Sequence, residues 1–337
     1  MDWKAINSVA KERFAGACRL CRVCNGVACA GEMPGMGGTG TGASFTANVE
    51  ALASYRLVLR TLHDVGNPST ELNLFGHRLA VPILAAPVMG TQLNMNGALT
   101  EPELATALTE GSVRSGSLGL TGDGPNPALY PTGLAAIAAQ TGRGIPIAKP
   151  RLEEEIIAMI RQAEEIGAWA VGVDVDAAGI IGMVRAGQPV GPRPPQTWQR
   201  IIAQTSLPFV LKGIMTADEA EIAIDIGAAA IVVSNHGGRV LDHTPGTADV
   251  LPDIADAVQG EIVVLVDGGV RSGGDVLKML ALGADAVLVG RPLAIAAVGG
   301  GVDAVHARIE QMADELRSAM ILTCCESLED IDDSILA

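Results

Sequence analysis

Short apolar, β-branched runs recur through the middle of the chain, each followed by a Gly/Asp/Asn-rich turn and then by helical spacing. The pattern predicts eight strands: Val81–Pro87, Ser117–Thr121, Ile145–Lys149, Trp169–Val175, Pro208–Lys212, Ala230–Ser234, Ile262–Asp267 and Asp285–Val289. The runs are apolar on both faces, as parallel strands covered by helices must be. Between the last four, Thr216–Ile226 and Gly274–Leu282 carry helical spacing and end at Gly227 and Gly283, which suit C-caps. Strands alternating with helices predict an α/β fold closed as a TIM (β/α)8 barrel. A doubly wound sheet is the rival, and strand count and chain length both favour closure. The barrel is placed at residues 61–337, with Val302 to the end a helical segment closing the C-terminal side. Residues 1–60 form a cysteine- and glycine-rich extension folded over it.

With 48% of 337 residues hydrophobic, the chain can bury a sizeable core. Lys and Arg number 23 against 38 Asp and Glu, a formal charge of −15. A field of that sign repels phosphate backbones and anionic lipid, so neither a nucleic-acid nor a membrane partner is expected. A small anionic substrate fits if a few basic groups gather in one pocket. Met1–Ala17 mixes charge and polarity with no apolar core, and no stretch of the chain has the apolar length to span a bilayer. The chain reads as soluble and cytoplasmic.

Chemistry in a barrel sits where strands end on the C-terminal side. Those ends carry Pro87-Val88-Met89-Gly90, Thr121-Gly122-Asp123-Gly124, Lys149, Asp174 and Asp176, Lys212-Gly213, Ser234-Asn235-His236-Gly237-Gly238-Arg239, Asp267-Gly268-Gly269-Val270-Arg271 and Gly290-Arg291-Pro292. Gly268 and Gly269 leave backbone amides uncovered and Arg271 and Arg291 flank them, an anion cradle suited to a cofactor phosphate. The blander reading, tight turns with solvated arginines, is the weaker for two adjacent loops. His236 is a candidate general base, because imidazole titrates near neutrality. Arg239, three residues on, can fork onto a carboxylate, and Asp176 or Asp267 can orient the imidazole. Lys149, ending an apolar strand, points into the mouth as an anion ligand or, with a depressed pKa, a base. Asp123 and Asp174 read as turn formers. His63, His77, His243 and His306 lack such company and read as structural.

Leu207–Leu293 resembles the FMN-dependent 2-hydroxy acid oxidases and dehydrogenases, the family of glycolate oxidase and flavocytochrome lactate dehydrogenase. The resemblance is carried by Pro208-Phe-Val-Leu-Lys212-Gly, the Ser234–Arg239 stretch, Asp267-Gly-Gly-Val-Arg271 and Gly290-Arg291-Pro292. It extends back more weakly through Leu62-His63-Asp64-Val65 and Val81-Pro-Ile-Leu-Ala-Ala-Pro87, covering about three quarters of the chain. It implies an FMN-binding barrel in which Lys212 steadies negative charge on reduced flavin. His236 takes the substrate hydroxyl proton as hydride passes to flavin N5, and Arg239 clamps the substrate carboxylate. Asp267, Gly269, Arg271, Gly290 and Arg291 hold the ribityl phosphate, Ser234 lies near the ribityl chain, and Ala86, Pro87 and Val88 offer backbone to the ring. The protein then supplies charge and position, and the cofactor the redox chemistry. The resemblance also implies a homo-oligomer, commonly a tetramer, and leaves the electron acceptor open.

Three departures stand out against that family. Lys149 occupies the place of a tyrosine on the third strand. The loop Asp176–Gly182 has no arginine before Arg185, and the N-terminal tyrosine gives way to cysteines. The flavin half matches and the substrate half does not. Two other readings therefore stay open: an FMN-dependent isomerase of the isopentenyl diphosphate type, with Lys149, Arg151 and Arg185 toward a diphosphate, and a flavin- or metal-binding sensor. A base facing the flavin argues against the sensor.

Of six cysteines, Cys18, Cys21, Cys24 and Cys29 crowd into twelve residues as C-x2-C-x2-C-x4-C. In a long chain such clustering points to metal or redox chemistry rather than to disulfides. The spacing suits an iron–sulfur cluster or one zinc, iron–sulfur first if a flavin is present, with free thiols in a lid as the plain alternative. The glycine-rich run Gly31–Gly42 can lay this segment over the barrel mouth. Cys324 and Cys325 read as buried small hydrophobes.

Overall fold

Each of the eight apolar runs forms a strand in the computed structural model, which describes residues 1–337. A hairpin, β1 (Leu72–Leu74) and β2 (His77–Leu79), precedes them. The barrel strands are β3 (Ile83–Ala85), β4 (Gly119–Thr121), β5 (Gly144–Ala148), β6 (Val171–Asp174), β7 (Phe209–Ile214), β8 (Ala230–Val233), β9 (Val263–Val266) and β10 (Ala286–Val289). All pair in parallel in the order β10-β3-β4-β5-β6-β7-β8-β9, and β10 closes on β3 with Leu288 opposite Leu84. The result is a (β/α)8 barrel.

Alternation along the strands divides the apolar side chains. Leu84, Leu120, Ile147, Val232, Leu265 and Leu288 fill the barrel interior. Their neighbours, Ile83, Val173, Leu211, Ile231, Val264 and Val287, face outward into the larger core beneath the helices. The unpredicted hairpin plugs the N-terminal end, with Leu74 and Leu79 joining the interior cluster. Its turn, Phe75-Gly76, takes two residues with positive φ, 52° and 80°. This is the mirror-image turn that suits two-residue hairpins, made here without the Asn-Gly signature that would betray it.

β7 does not stop at Lys212 as predicted; it runs on to Ile214 through a register shift against β8. Gly213 makes that bulge, at φ +107°, and a Cβ there would lie 2.4 Å from the Cβ of Asp176. The bulge thereby brings β7 against the loop after β6.

The C-terminal segment also differs from expectation. Helix Arg291–Thr323 bends at Gly300–Gly301 and joins the outer ring beside helices Glu101–Arg114 and Gly273–Ala281. The close approach needs Gly111, where a Cβ would meet Val305 at 2.7 Å. Beyond Thr323 the chain is short 3-10 turns whose backbone pairs with residues 56–69. Cys325 is buried, but Cys324 is exposed as the left-handed residue ending the helix. No helix is long and apolar enough to cross a membrane.

Two helices dominate the N-terminal segment. Trp3–Phe14, capped by Asp2, buries Ala10 and Phe14 beside helix Arg291–Thr323, and Arg13 donates to Val298 O at 2.9 Å. Ala43–Ser54 packs against helix Thr247–Val258 at the barrel mouth. Asn48 and Asn235 pair their side-chain amides at 2.8 and 3.1 Å, and Asn48 Oδ1 accepts from Thr247 N–H at 3.0 Å. That buried knot ties the helix to the loop carrying His236.

Candidate active site

At the C-terminal strand ends lies a cavity of about 190 Å³. Ala86, Pro87, Val88, Lys149, Lys212, His236 and Arg239 line it together with Asp267, Gly269, Arg271, Gly290 and Arg291. Ser234 and Asp176 stand behind this wall, bonded to residues that form it.

The floor is a ladder of charge across β5 to β9. Lys212 Nζ lies 3.0 Å from Ser234 Oγ, 3.3 Å from Asp174 Oδ1 and 3.5 Å from Asp267 Oδ2. Ser234 in turn donates to the Asp267 carboxylate at 2.9 Å and accepts from His236 N–H at 3.0 Å. Burial alone would push the Lys212 ammonium down, but Asp174, Asp267 and Asp176 hold it well above the usual lysine range. The converse holds for Asp174: burial opposes its ionisation, and Lys149 and Lys212 keep it far below the usual carboxylate range. A permanent cation on the cavity floor results.

His236 sits on this floor in the left-handed backbone region at φ +59°, followed by Gly237 and Gly238, also at positive φ. A side chain there is strained and must be held by its surroundings. Its Nδ1 is 3.1 Å from both oxygens of Asp176, whose side chain is only 8% exposed. With Asp176 ionised, Nδ1 carries the proton and Nε2 keeps a free lone pair, the state a general base requires. Asp174, Asp176 and His236 place donor atoms within 4.8 Å of one another, as a metal site would. The two lysines already balance Asp174, so the place of a cation is taken by ammonium groups.

The other end of the cavity is rich in guanidinium. Arg239, Arg271 and Arg291 converge there, and none pairs with a carboxylate. Burial and the neighbouring Arg239 and Arg271 pull Arg291 down to about 9, and burial pulls Arg239 down to about 10. Arg271 Nε is buried with no partner at all. The amides of Gly268, Gly269 and Gly290 donate to no backbone acceptor. Unspent amides, an orphan guanidinium nitrogen and uncompensated positive charge fit the phosphate of FMN. The two glycines serve packing as well, since a Cβ on Gly269 would strike Asn48 O at 2.3 Å. At the ring end, the Ala86 and Val88 amides donate to Val289 O and Ala86 O, so this turn offers carbonyl oxygen rather than N–H.

Several predicted roles change. Lys149 reaches the cavity, but its Nζ is spent on Asp174 at 2.7 Å, so it is not a free anion ligand. Asp174 is no turn former but the buried anion between two lysines. Asp123 likewise accepts from Arg151 Nε at 2.7 Å and Nη2 at 3.0 Å, and from Lys149 N–H at 3.1 Å. Both aspartates are interior carboxylates whose partners lie on or just after neighbouring strands, out of reach of local spacing. Arg239 is partly engaged: Nη1 donates to Gly35 O and Gly37 O at 2.6 and 3.1 Å, and Nη2 to Asn94 Oδ1 at 2.8 Å. Its Nε–H keeps no protein partner.

The glycine-rich run lies against the barrel mouth, as its sequence suggests, but the partners it meets there were not foreseen. Arg291 donates to Met36 O at 2.8 Å and lies 3.7 Å over the ring of Phe45. Thr39 N–H donates to Gly238 O at 2.8 Å, and the half-buried Asp242 takes the amide and hydroxyl of Thr41. The glycine-rich run was the available signal, because only backbone so bare can lie flat on the arginines. The four clustered cysteines do not line this cavity; they surround a separate one.

Comparison with known proteins agrees with this geometry. The family model described as FMN-dependent dehydrogenase matches residues 35–185 and 189–337. The 4-hydroxymandelate oxidase of Amycolatopsis orientalis is 37% identical over 329 residues, covering 87% of this chain and 89% of that protein. The 2-hydroxyacid oxidase 1 of Homo sapiens is 31% identical over 334 residues, covering 86% and 87%. A crystal structure of mandelate oxidase with 3,3-difluoro-2-hydroxy-3-phenylpropionic acid superimposes with a TM-score of 0.80 at 34% identity, covering 99% of this chain and 97% of that one.

Proposed function

We propose, for a chain that belongs to the FMN-dependent dehydrogenase family of 2-hydroxy acid oxidoreductases, a substrate class and a role for each residue of the site. The substrate is a 2-hydroxy acid with an apolar side chain, oxidised to the 2-oxo acid. Bound FMN supplies the hydride acceptor, and the protein does the rest by charge and position.

His236 Nε2 takes the hydroxyl proton, and Asp176 holds the imidazole in the tautomer that can receive it and steadies the imidazolium that forms. Arg239 offers its unspent Nε–H to the substrate carboxylate. Lys212, held cationic by Asp174 and Asp267, would steady the negative charge that bound FMN takes on when reduced. Arg271, Arg291 and the Gly269 and Gly290 amides hold the phosphate, while Ser234 joins Lys212, Asp267 and His236 into one rigid unit. Lys149 keeps Asp174 ionised instead of touching substrate.

The apolar side chain is read from the cavity wall beyond His236, where Met33, Leu93, Pro125, Ile180 and Met183 supply thioether and hydrocarbon and no charge. The observation that carries the reading is a His–Asp pair sharing one cavity with an arginine that has no carboxylate. The diphosphate isomerase is not favoured: Arg151 is locked on Asp123 outside the cavity, Arg185 is exposed, and the relatives are hydroxy acid oxidases.

The test is an anaerobic screen of 2-hydroxy acids against the FMN-loaded protein, following loss of flavin absorbance and formation of 2-oxo acid. Mandelate and 2-hydroxy acids with branched aliphatic chains should bleach the flavin, and glycolate and tartrate should do so at least tenfold more slowly. No bleaching by any 2-hydroxy acid, or turnover of an allylic diphosphate instead, overturns the proposal.

A further inference from the structure

Cys18, Cys21, Cys24 and Cys29 all line a second cavity of about 50 Å³, several times the room one water needs. None is in a disulfide. The family match begins at residue 35, after the last of them. The short loops turn at the left-handed residues Leu20 and Gly26, and all four cysteines border one space.

The spacing of the sulfurs discriminates between metals. A tetrahedral zinc with Zn–S bonds of about 2.3 Å draws its sulfurs to within about 4 Å of one another. The only three groups here whose donor atoms converge within 4.8 Å are Asp174, Asp176 and His236, so the thiols do not gather as around a single ion. Four thiols spread round a common space suit a polynuclear centre, in which each sulfur binds its own metal atom or one of a pair.

The surrounding charge points the same way. Arg271 Nη2 lies 3.6 Å from Cys24 Sγ and 3.3 Å from Cys24 O, and Arg291 forms part of the cavity wall. Neither guanidinium has a carboxylate partner. A four-thiolate iron–sulfur centre is a net anion, and N–H groups aimed at its sulfurs are among the features that set its potential.

The two cavities also share a wall. Met36 and Arg291 line both, and Arg271 lines the larger while touching Cys24 of the smaller. Cys21 is exposed, and Val23 and Val27, close by in sequence, are each 64% exposed.

We propose that Cys18, Cys21, Cys24 and Cys29 hold an iron–sulfur cluster that carries electrons between the flavin site and a one-electron carrier protein at the surface near Cys21. The electron route rests on the flavin reading above; the cluster itself does not. Oxidation of a 2-hydroxy acid to a 2-oxo acid releases two electrons and two protons. The cluster takes the electrons one at a time and passes each to the carrier, which is thereby reduced. The protons leave through His236 and water.

The experiment is metal and cofactor analysis of the full chain, isolated without air and also reconstituted with ferrous iron and sulfide. Iron and acid-labile sulfide should appear in equal amounts, at least about two of each per chain, with an EPR signal after dithionite reduction. Cys18→Ser and Cys21→Ser should each lower iron and sulfide at least fivefold while FMN content and circular dichroism stay unchanged. About one zinc per chain without sulfide, or no metal by either route in protein that binds FMN, overturns the cluster. Iron and sulfide in protein that never takes up FMN supports the cluster and sinks the flavin reading instead. With a 2-hydroxy acid from the screen as reductant, the EPR signal should develop without dithionite. Reduced flavin beside a cluster that stays oxidised overturns the electron route.

Discussion

Replacing Asp174 by asparagine probes the charge ladder most sharply, since two lysines depend on one carboxylate. In the native chain Lys149 Nζ and Lys212 Nζ lie 2.7 and 3.3 Å from it, and all three side chains are at most 8% exposed. Lys212 would retain Asp267 and Ser234, but Lys149 would lose its only carboxylate. Removing one partner of a buried pair costs about 3–5 kcal/mol, because the remaining charge is stranded away from water. At about 2.1 cal/mol/K per residue, a chain this long unfolds with about 0.7 kcal/mol/K of entropy, so Tm should fall by about 4–7 °C. Scanning calorimetry on the FMN-loaded protein measures the shift. Adding Lys149→Met to Asp174→Asn removes the stranded charge and should restore part of the loss, which additive effects would not do. The pH dependence has two signs. The depressed Asp174 contributes stability above its unfolded pKa of about 3.9 and loses it as pH falls below. The elevated Lys212 contributes below about 10.4 and loses it as pH climbs beyond. The contribution of this pair should be flat between these limits. An Asp174→Asn variant melting within about 1 °C of the parent, or a double variant no better than the single, would refute the ladder as a coupled unit.

Gly213→Ala should lower kcat and cost about 1–3 kcal/mol, since its Cβ would collide with Asp176 at 2.4 Å; a fully active variant in a kinetic and melting comparison would remove the bulge from the account. Arg291→Leu should weaken FMN binding about 10–100-fold through loss of charged hydrogen bonds, read by fluorescence titration of the flavin; unchanged affinity would move the phosphate elsewhere. Arg239→Lys should raise KM more than it lowers kcat, because ammonium cannot replace the fork that grips Gly35, Gly37 and Asn94 while facing the substrate. Asp176→Asn should cut the rate of flavin reduction by about 10²–10⁴ with FMN still bound; a small effect would mean that His236 needs no orienting carboxylate.

The barrel was legible because buried parallel strands leave a signature in composition alone, and Val81–Pro87 through Asp285–Val289 all carry it. The basic residues at the strand ends were legible too, since Lys212, His236, Arg239, Arg271 and Arg291 stand where a barrel concentrates chemistry. Apart from Asp176 beside His236, partnership was not legible. Lys149 and Asp174 are joined by adjacent strands rather than by spacing, so one looked like a ligand and the other like a turn. Asn48 and Phe45 were invisible for the same reason: their value lies in meeting Asn235 and Arg291, nearly two hundred residues or more away. The hairpin at Leu72–Leu79 escaped because three-residue strands are too short to show a period.

The most direct measurement is rapid anaerobic mixing of His236→Asn with a 2-hydroxy acid that reduces the parent, recording flavin absorbance and FMN content together. The account predicts that FMN stays bound at parental stoichiometry while its reduction slows by at least about 10², with no rate recovered as pH rises. Reduction at the parental rate, with the same pH profile, would contradict His236 as the base that starts the reaction.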